Sequence, residues 1–94
     1  AILFMKTALI TGATSGIGEA TARIFAQNGI RLILTGRRQE RLQQLADELS
    51  ANVSVHTAAF DVRDREAVFA AIEALPADFQ QIDILINNAG NAHG

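Results

Sequence analysis

The chain contains no cysteine, no tyrosine and no tryptophan, and only one proline and one methionine among its 94 residues. Without thiols it can build neither a disulfide framework nor a cysteine-ligated zinc site, a composition that fits a reducing cytoplasmic compartment. Charge is sparse as well: eight basic against ten acidic side chains leave a net charge of −2. The arginines are scattered except at Arg37-Arg38, and no aromatic residues interleave with them. Nucleic acid is therefore not an expected partner. No apolar segment is long enough to span a bilayer, so no membrane partner is expected either. The opening Ala1-Ile2-Leu3-Phe4-Met5 lacks the basic leader and cleavage site of a secretory signal. Met5-Lys6-Thr7 reads as a natural start preceded by four foreign residues. There is no internal repeat, linker or low-complexity stretch.

What the chain does have is apolar content, 49% of its residues, enough for a globular α/β core and too much for disorder. Its length allows one domain. A chain of this size buries only about two-thirds of the surface its unfolded form exposes, a thin margin for an open sheet.

The most informative segment is Thr11-Gly12-Ala13-Thr14-Ser15-Gly16-Ile17-Gly18. Before it, Thr7-Ala8-Leu9-Ile10 reads as a buried parallel strand. After it, Ile17, Ala20, Thr21 and Ile24 recur at helical spacing and are expected to form one apolar helix face. A glycine-rich turn from strand into helix is a device for holding phosphates. Glycine permits the tight turn and the close approach of a ligand, and the helix start offers unpaired N–H groups and the positive end of its dipole. The spacing G-x-x-x-G-x-G differs from G-x-G-x-x-G, and the Gly-Lys-Ser/Thr ending of a P-loop is missing. No G-x-S-x-G elbow surrounds Ser15, because Ala13 and Ile17 stand where its glycines would be. Ser15 is thus a loop residue, a candidate hydrogen-bond donor on the phosphate side, and not a nucleophile.

The remainder alternates helix and strand. The first helix ends near Asn28-Gly29, and Arg31 to Thr35 reads as the second strand. Leu42, Leu45, Ala46 and Leu49 form the apolar face of a second helix ending near Ser50-Ala51-Asn52. Val53 to Phe60 reads as the third strand. Asp64 caps a third helix with an apolar face of Val68, Ala71, Ile72 and Leu75, stopped by Pro76. Ile82 to Ile86 is the fourth strand, closing on Asn87-Asn88-Ala89-Gly90. The order β-α-β-α-β-α-β, with right-handed crossovers, predicts a Rossmann-like doubly wound parallel sheet with helices on both faces.

In such sheets ligands gather at the carboxyl ends of the strands. Four features fall there: the glycine loop, Gly36-Arg37-Arg38, Asp61-Val62, and Asn87 to Gly90. An NAD site would place an Asp or Glu after the second strand to bind the ribose hydroxyls. The chain has two arginines instead, which suit the 2′-phosphate of NADP. Asp61 can accept from an adenine amino group, with Val62 lining the same pocket, or can simply cap a turn. Of Asn87 and Asn88, one is expected to tie strand ends together and the other to meet the cofactor ribose. Neither His56 nor His93 has a usable partner for metal or catalysis, so no metal site is expected.

Thr11 to Gly18, Asp61-Val62 and Asn87-Asn88-Ala89-Gly90 together resemble the short-chain dehydrogenase/reductase family. Thr35-Gly36-Arg37-Arg38-Gln39-Glu40-Arg41-Leu42, with Asn87 through Gly94, looks like its NADP-dependent serine/3-hydroxy acid dehydrogenase subgroup. The resemblance implies cofactor binding by Gly12, Ala13, Thr14, Ser15, Gly16, Ile17 and Gly18 at the pyrophosphate and ribose. It places Arg37 and Arg38 at the 2′-phosphate, Asp61 and Val62 at the adenine, and Asn88, with Ala89 and Gly90, near the ribose. Residues 1–94 then form the N-terminal cofactor-binding half of a single Rossmann domain, the first four strands of a larger three-layer domain. The family's catalytic Tyr-x-x-x-Lys pair has no counterpart here: there is no tyrosine, and the single lysine, Lys6, precedes the first strand. The expectation is a full-length NADP(H)-dependent oxidoreductase, a homo-oligomer acting on a small alcohol or carbonyl, with this segment inactive alone. The alternative is a non-catalytic NADP-binding module.

Overall fold

Five successive buried residues, Thr7–Thr11, form β1, one of two inner strands of the sheet. A strand buried on both faces reads as such a continuous run. A computed structural model describes residues 5–88 of the chain; residues 1–4 and 89–94 lie outside it. From β1 the chain continues through α1 (Gly16–Gln27), β2 (Arg31–Gly36), α2 (Gln39–Leu49), β3 (Val55–Ala59), α3 (Arg65–Glu73), a 3₁₀ turn (Ala77–Phe79) and β4 (Ile84–Asn87). All strand pairs are parallel and their order is β3-β2-β1-β4. This is the Rossmann-like doubly wound sheet expected from the alternation of elements.

Side chains alternate across the sheet, as the period of a strand requires. Ala8, Ile10, Leu32 and Leu34 point to one face, where α2 adds Leu42, Leu45, Ala46 and Leu49. Leu9 and Ile33 point to the other, against Leu75 and Phe79. The first layer is the better filled. On the second, no residue of α3 is fully buried, and Phe79 of the 3₁₀ turn supplies packing that periodicity did not foretell.

The departure lies in α1. The expected inward stripe points outward: Ile17 is 72% and Ile24 56% exposed. The buried face is Gly18, Ala22 and Ala26, with Phe25 packed beside it. The cause is proximity. A Cβ on Gly18 would stand 2.2 Å from the carbonyl oxygen of Gly12 and 2.9 Å from Cα of Ala13. Only small side chains fit beneath a helix that leaves its strand through so tight a turn.

Element ends also shift. β3 begins at Val55 rather than Val53, whose N–H instead donates to Leu49 O at 3.2 Å. β4 begins at Ile84. Asp83, expected within that strand, grips β1 from outside it, its Oδ2 accepting from Thr7 N and its own N–H donating to Thr7 O, each at 2.9 Å. α3 stops at Glu73, before Pro76, but Asp64 caps it as expected, accepting from Ala67 N at 3.1 Å. Among the described residues, no helix is long and apolar enough to cross a membrane.

Candidate functional site

The carboxyl edge of the sheet gathers the ends of all four strands. At the end of β1, Gly12 turns the chain with φ of +62°, a conformation that only glycine adopts without strain. Ala13 N–H then donates to Thr35 O at 2.9 Å, tying the loop to β2. Ser15 is the N-cap of α1. Its hydroxyl donates to Gly12 O at 2.9 Å and accepts from Gly18 N at 3.1 Å and from Asn88 Nδ2 at 2.6 Å. A hydroxyl has one hydrogen to give, and here the loop itself takes it. The structure therefore uses Ser15 to shape the loop rather than to offer an O–H outward.

Other amides matter at the helix start. Thr14, Gly16 and Ile17 have no backbone N–H partner among the described residues. They sit at the start of α1, where the helix dipole favours negative charge. Gly16 is informative here. Its φ is not left-handed, and a Cβ built on it meets nothing within 4 Å. The chain's own packing does not require glycine at that position, so the space it leaves faces outward, toward whatever binds. A diphosphate fits such a cradle.

The two asparagines divide their work within the fold. Asn87 Oδ1 accepts from Thr11 Oγ1 at 3.2 Å and joins β4 to β1. Asn88 Nδ2 donates to Gly12 O at 3.1 Å as well as to Ser15. Asn88 thus pins the glycine loop from the neighbouring strand. Ala89 and Gly90 lie outside the described residues, as does His93.

Beyond β2, Arg37 and Arg38 are exposed. Arg38 is the N-cap of α2 and makes no capping bond through its side chain, leaving the guanidinium to solvent at a helix end where positive charge is mildly unfavourable. Phe60 N–H donates to Gly36 O at 2.8 Å, so the end of β3 is fastened beside these arginines. Asp61 follows. Arg63 grips its carboxylate with Nη2 at 2.7 Å and Nε at 3.1 and 3.2 Å, and Arg63 N–H adds a bond at 2.9 Å. These bonds, with a smaller contribution from the Arg37 charge, hold the Asp61 carboxyl down to about 2. Arg63 escaped the sequence reading. The signal for it is an acid and a base two residues apart on a turn.

Val62, 40% exposed, borders a cleft of about 270 Å³ between α3 and the sheet, with Phe60, Val68, Ile72 and Leu85 among its walls. A larger hollow of about 540 Å³ opens elsewhere, bordered by Met5, Asn52 and Phe79. It includes none of the glycine-loop residues. His56 packs against Phe79 with the rings tilted at 39° and their centroids 5.7 Å apart, a packing role.

The short chain dehydrogenase profile matches residues 6–94. The chain belongs to the short chain dehydrogenase family. Among relatives, it is 61% identical over 84 residues to sulfoacetaldehyde reductase 2 of Chromohalobacter salexigens, covering 89% of this chain and 33% of that protein. It is 55% identical over 86 residues to an NADP-dependent 3-hydroxy acid dehydrogenase of Salmonella typhi, covering 92% of this chain and 34% of that one. A solved structure, the closed form of a serine dehydrogenase complexed with NADP+, superposes with a TM-score of 0.78 at 50% identity over 87% of this chain and 32% of that one. This family segment therefore spans about a third of the length of the curated relatives it matches.

Proposed function

We propose that this segment is the cofactor-binding front of a full-length NADP(H)-dependent oxidoreductase, which moves a hydride between nicotinamide and a hydroxyl or carbonyl carbon. The observation that carries the reading is the carboxyl edge. Three amides at the start of α1, unpartnered among the described residues, lie beside a β2 terminus that bears two exposed arginines and no acid. When bound, the nicotinamide cofactor supplies the hydride chemistry. The chain's own residues bind and orient: Thr14, Gly16 and Ile17 offer N–H groups to the pyrophosphate, and Arg37 and Arg38 take the 2′-phosphate. Asp61, ionised across the physiological range, accepts from the adenine amino group, with Val62 beside it. Asn88 holds the loop in register near the ribose. Gly12 and Gly18 both disfavour a side chain, the first because its φ is left-handed and the second because a Cβ would collide with the loop backbone.

The substrate class is a small alcohol or carbonyl. A 3-hydroxy acid such as serine is the reading favoured by the names of the relatives, of which one is a 3-hydroxy acid dehydrogenase and another a serine dehydrogenase. In this reading the full-length protein is a cytoplasmic homo-oligomer, testable by sedimentation and cell fractionation. A second reading is an NADP-binding module without catalysis. Turnover by the full-length protein decides between the two.

The cofactor test is a titration. In the full-length protein, Arg37→Ala with Arg38→Ala should weaken NADPH by about 3–4 kcal/mol, or about 10²–10³-fold, from the loss of roughly two charge-assisted bonds. NADH should change little. Equal losses for both cofactors would show that the arginines do not read the 2′-phosphate.

A further inference from the structure

Arg63 has no cofactor contact among those assigned so far. Its guanidinium is forked onto both carboxylate oxygens of Asp61, on a turn closed by Asp64 N–H donating to Asp61 O at 2.9 Å. The pair is a surface one, with side chains 79% and 34% exposed, and such pairs contribute little to stability. Its location gives it another use. The Phe60-to-Gly36 hydrogen bond fastens the end of β3 to the end of β2, and Asp61 feels the charge of Arg37. A free carboxylate there would both attract Arg37 and repel a phosphate dianion bound to it.

We propose that Arg63 is a specificity-determining residue of the cofactor site: by forking onto Asp61 it fixes that carboxylate as an adenine acceptor and cancels its charge, leaving Arg37 and Arg38 available to a 2′-phosphate. The inference rests on the NADP(H) reading of this edge and deepens it. With Arg63 in place, the side chains of residues 37, 38, 61 and 63 carry a charge that balances a phosphate dianion; without it, one positive charge is lost. Arg63 itself makes no contact with the phosphate. It acts through Asp61, and the fork geometry matters because a planar guanidinium holds a carboxylate in one orientation where an ammonium does not.

The test measures dissociation constants for NADPH and NADH, by nicotinamide fluorescence, in the full-length protein and three variants. Arg63→Ala should weaken NADPH by about tenfold, the scale of one unbalanced charge a few ångströms from a phosphate at a protein surface, and the effect should shrink at high salt. NADH, which shares the adenine contact but has no 2′-phosphate, should weaken by no more than about threefold, which also reports an intact fold. Arg63→Lys, which keeps the charge and loses the fork, should recover only part of the lost preference. Asp61→Asn combined with Arg63→Ala should bring the NADPH-to-NADH preference back to within about threefold of the unmodified protein, because the unbalanced carboxylate is gone. Both cofactors should bind that double variant less tightly, since the adenine acceptor is weakened.

A preference unchanged in Arg63→Ala, or a loss shared equally by both cofactors, overturns the inference. So does a preference that stays lost when Asp61 is also neutralised, for Arg63 would then touch the phosphate itself. Failure of the underlying reading looks different: the unmodified protein would show no preference for NADPH at all.

Discussion

Two glycines in one loop, Gly16 and Gly18, should fail in opposite ways when given a methyl group. At Gly18 a Cβ would lie 2.2 Å from Gly12 O, 2.9 Å from Ala13 Cα and 3.0 Å from Asn88 Nδ2. Two of these neighbours are backbone, so the loop must move. Replacing a helical glycine by alanine gains about 0.8–1 kcal/mol of helix propensity. Against this stand about 1–3 kcal/mol of overpacking and about 0.5–1.5 kcal/mol for each hydrogen bond disturbed. The bonds at risk are Gly18 N to Ser15 Oγ and Asn88 Nδ2 to Gly12 O. Gly18→Ala should therefore lose about 2–4 kcal/mol of stability, a large part of what a domain of this size has. Gly16→Ala meets nothing within 4 Å and should leave the unliganded protein unchanged or stabilised by up to about 1 kcal/mol. Its methyl should instead fill the cradle over the loop amides and weaken NADPH by about 10–100-fold. Both changes alter the unfolded chain alike, so the difference between them isolates the native state. Urea unfolding of the full-length apoprotein, paired with NADPH titration, reads both effects. Normal NADPH affinity in Gly16→Ala would remove the pyrophosphate from this cradle. Stability within about 0.5 kcal/mol of the parent in Gly18→Ala would show that the loop relaxes freely and that clearance does not select glycine.

At Gly29, with φ of +74° and open space around the Cβ position, alanine should cost about 1–2 kcal/mol through backbone strain alone, visible as a lower urea midpoint. Asp64→Ala removes the side-chain cap of α3 and should cost about 1 kcal/mol by the same measurement. The Asp61 carboxyl, held to about 2 against an ordinary 3.8 by Arg63, should stay ionised from pH 8 down past pH 4. Because its pKa is depressed on folding, its contribution is present above the unfolded value and is lost as pH falls from about 4 toward 2. Carbon-13 titration of that carboxyl should show the low midpoint, and Arg63→Ala should return it toward 3.8; a midpoint near 4 in the unmodified protein would refute the pairing. Residues 1–94 made alone should turn over no substrate and should self-associate, because β4 is an open edge with Leu85 64% exposed and such an edge invites pairing. A monodisperse monomer by light scattering, with strongly protected amides in β4, would contradict that.

Much of this protein is local, and local patterns are legible in a chain. Apolar runs bounded by glycine, proline and asparagine mark the strands and helices, because burial periodicity and turn chemistry act over a few residues. The Asp64 cap, the end of α1 at Asn28-Gly29 and the inward face of α2 follow from such patterns. So does the glycine loop, whose function depends on a strand before it and a helix after it. The alternation of elements also carried the parallel topology, since right-handed crossovers leave few other arrangements.

Tertiary structure decided what depends on distance between remote segments. Periodicity offers α1 two stripes, one of isoleucines and one of Gly18, Ala22 and Ala26. Hydrophobicity favours the first, and the clearance between helix and glycine turn selects the second. Ser15 becomes a cap and a tether for Asn88, 73 residues away, only because β4 lies next to β1. Asn87 meets Thr11 for the same reason. Arg63 stands close to Asp61 in sequence, yet its bearing on Arg37 exists only because β3 ends beside β2. A pattern records which side chains a segment can bury; the order of the strands determines which of them meet.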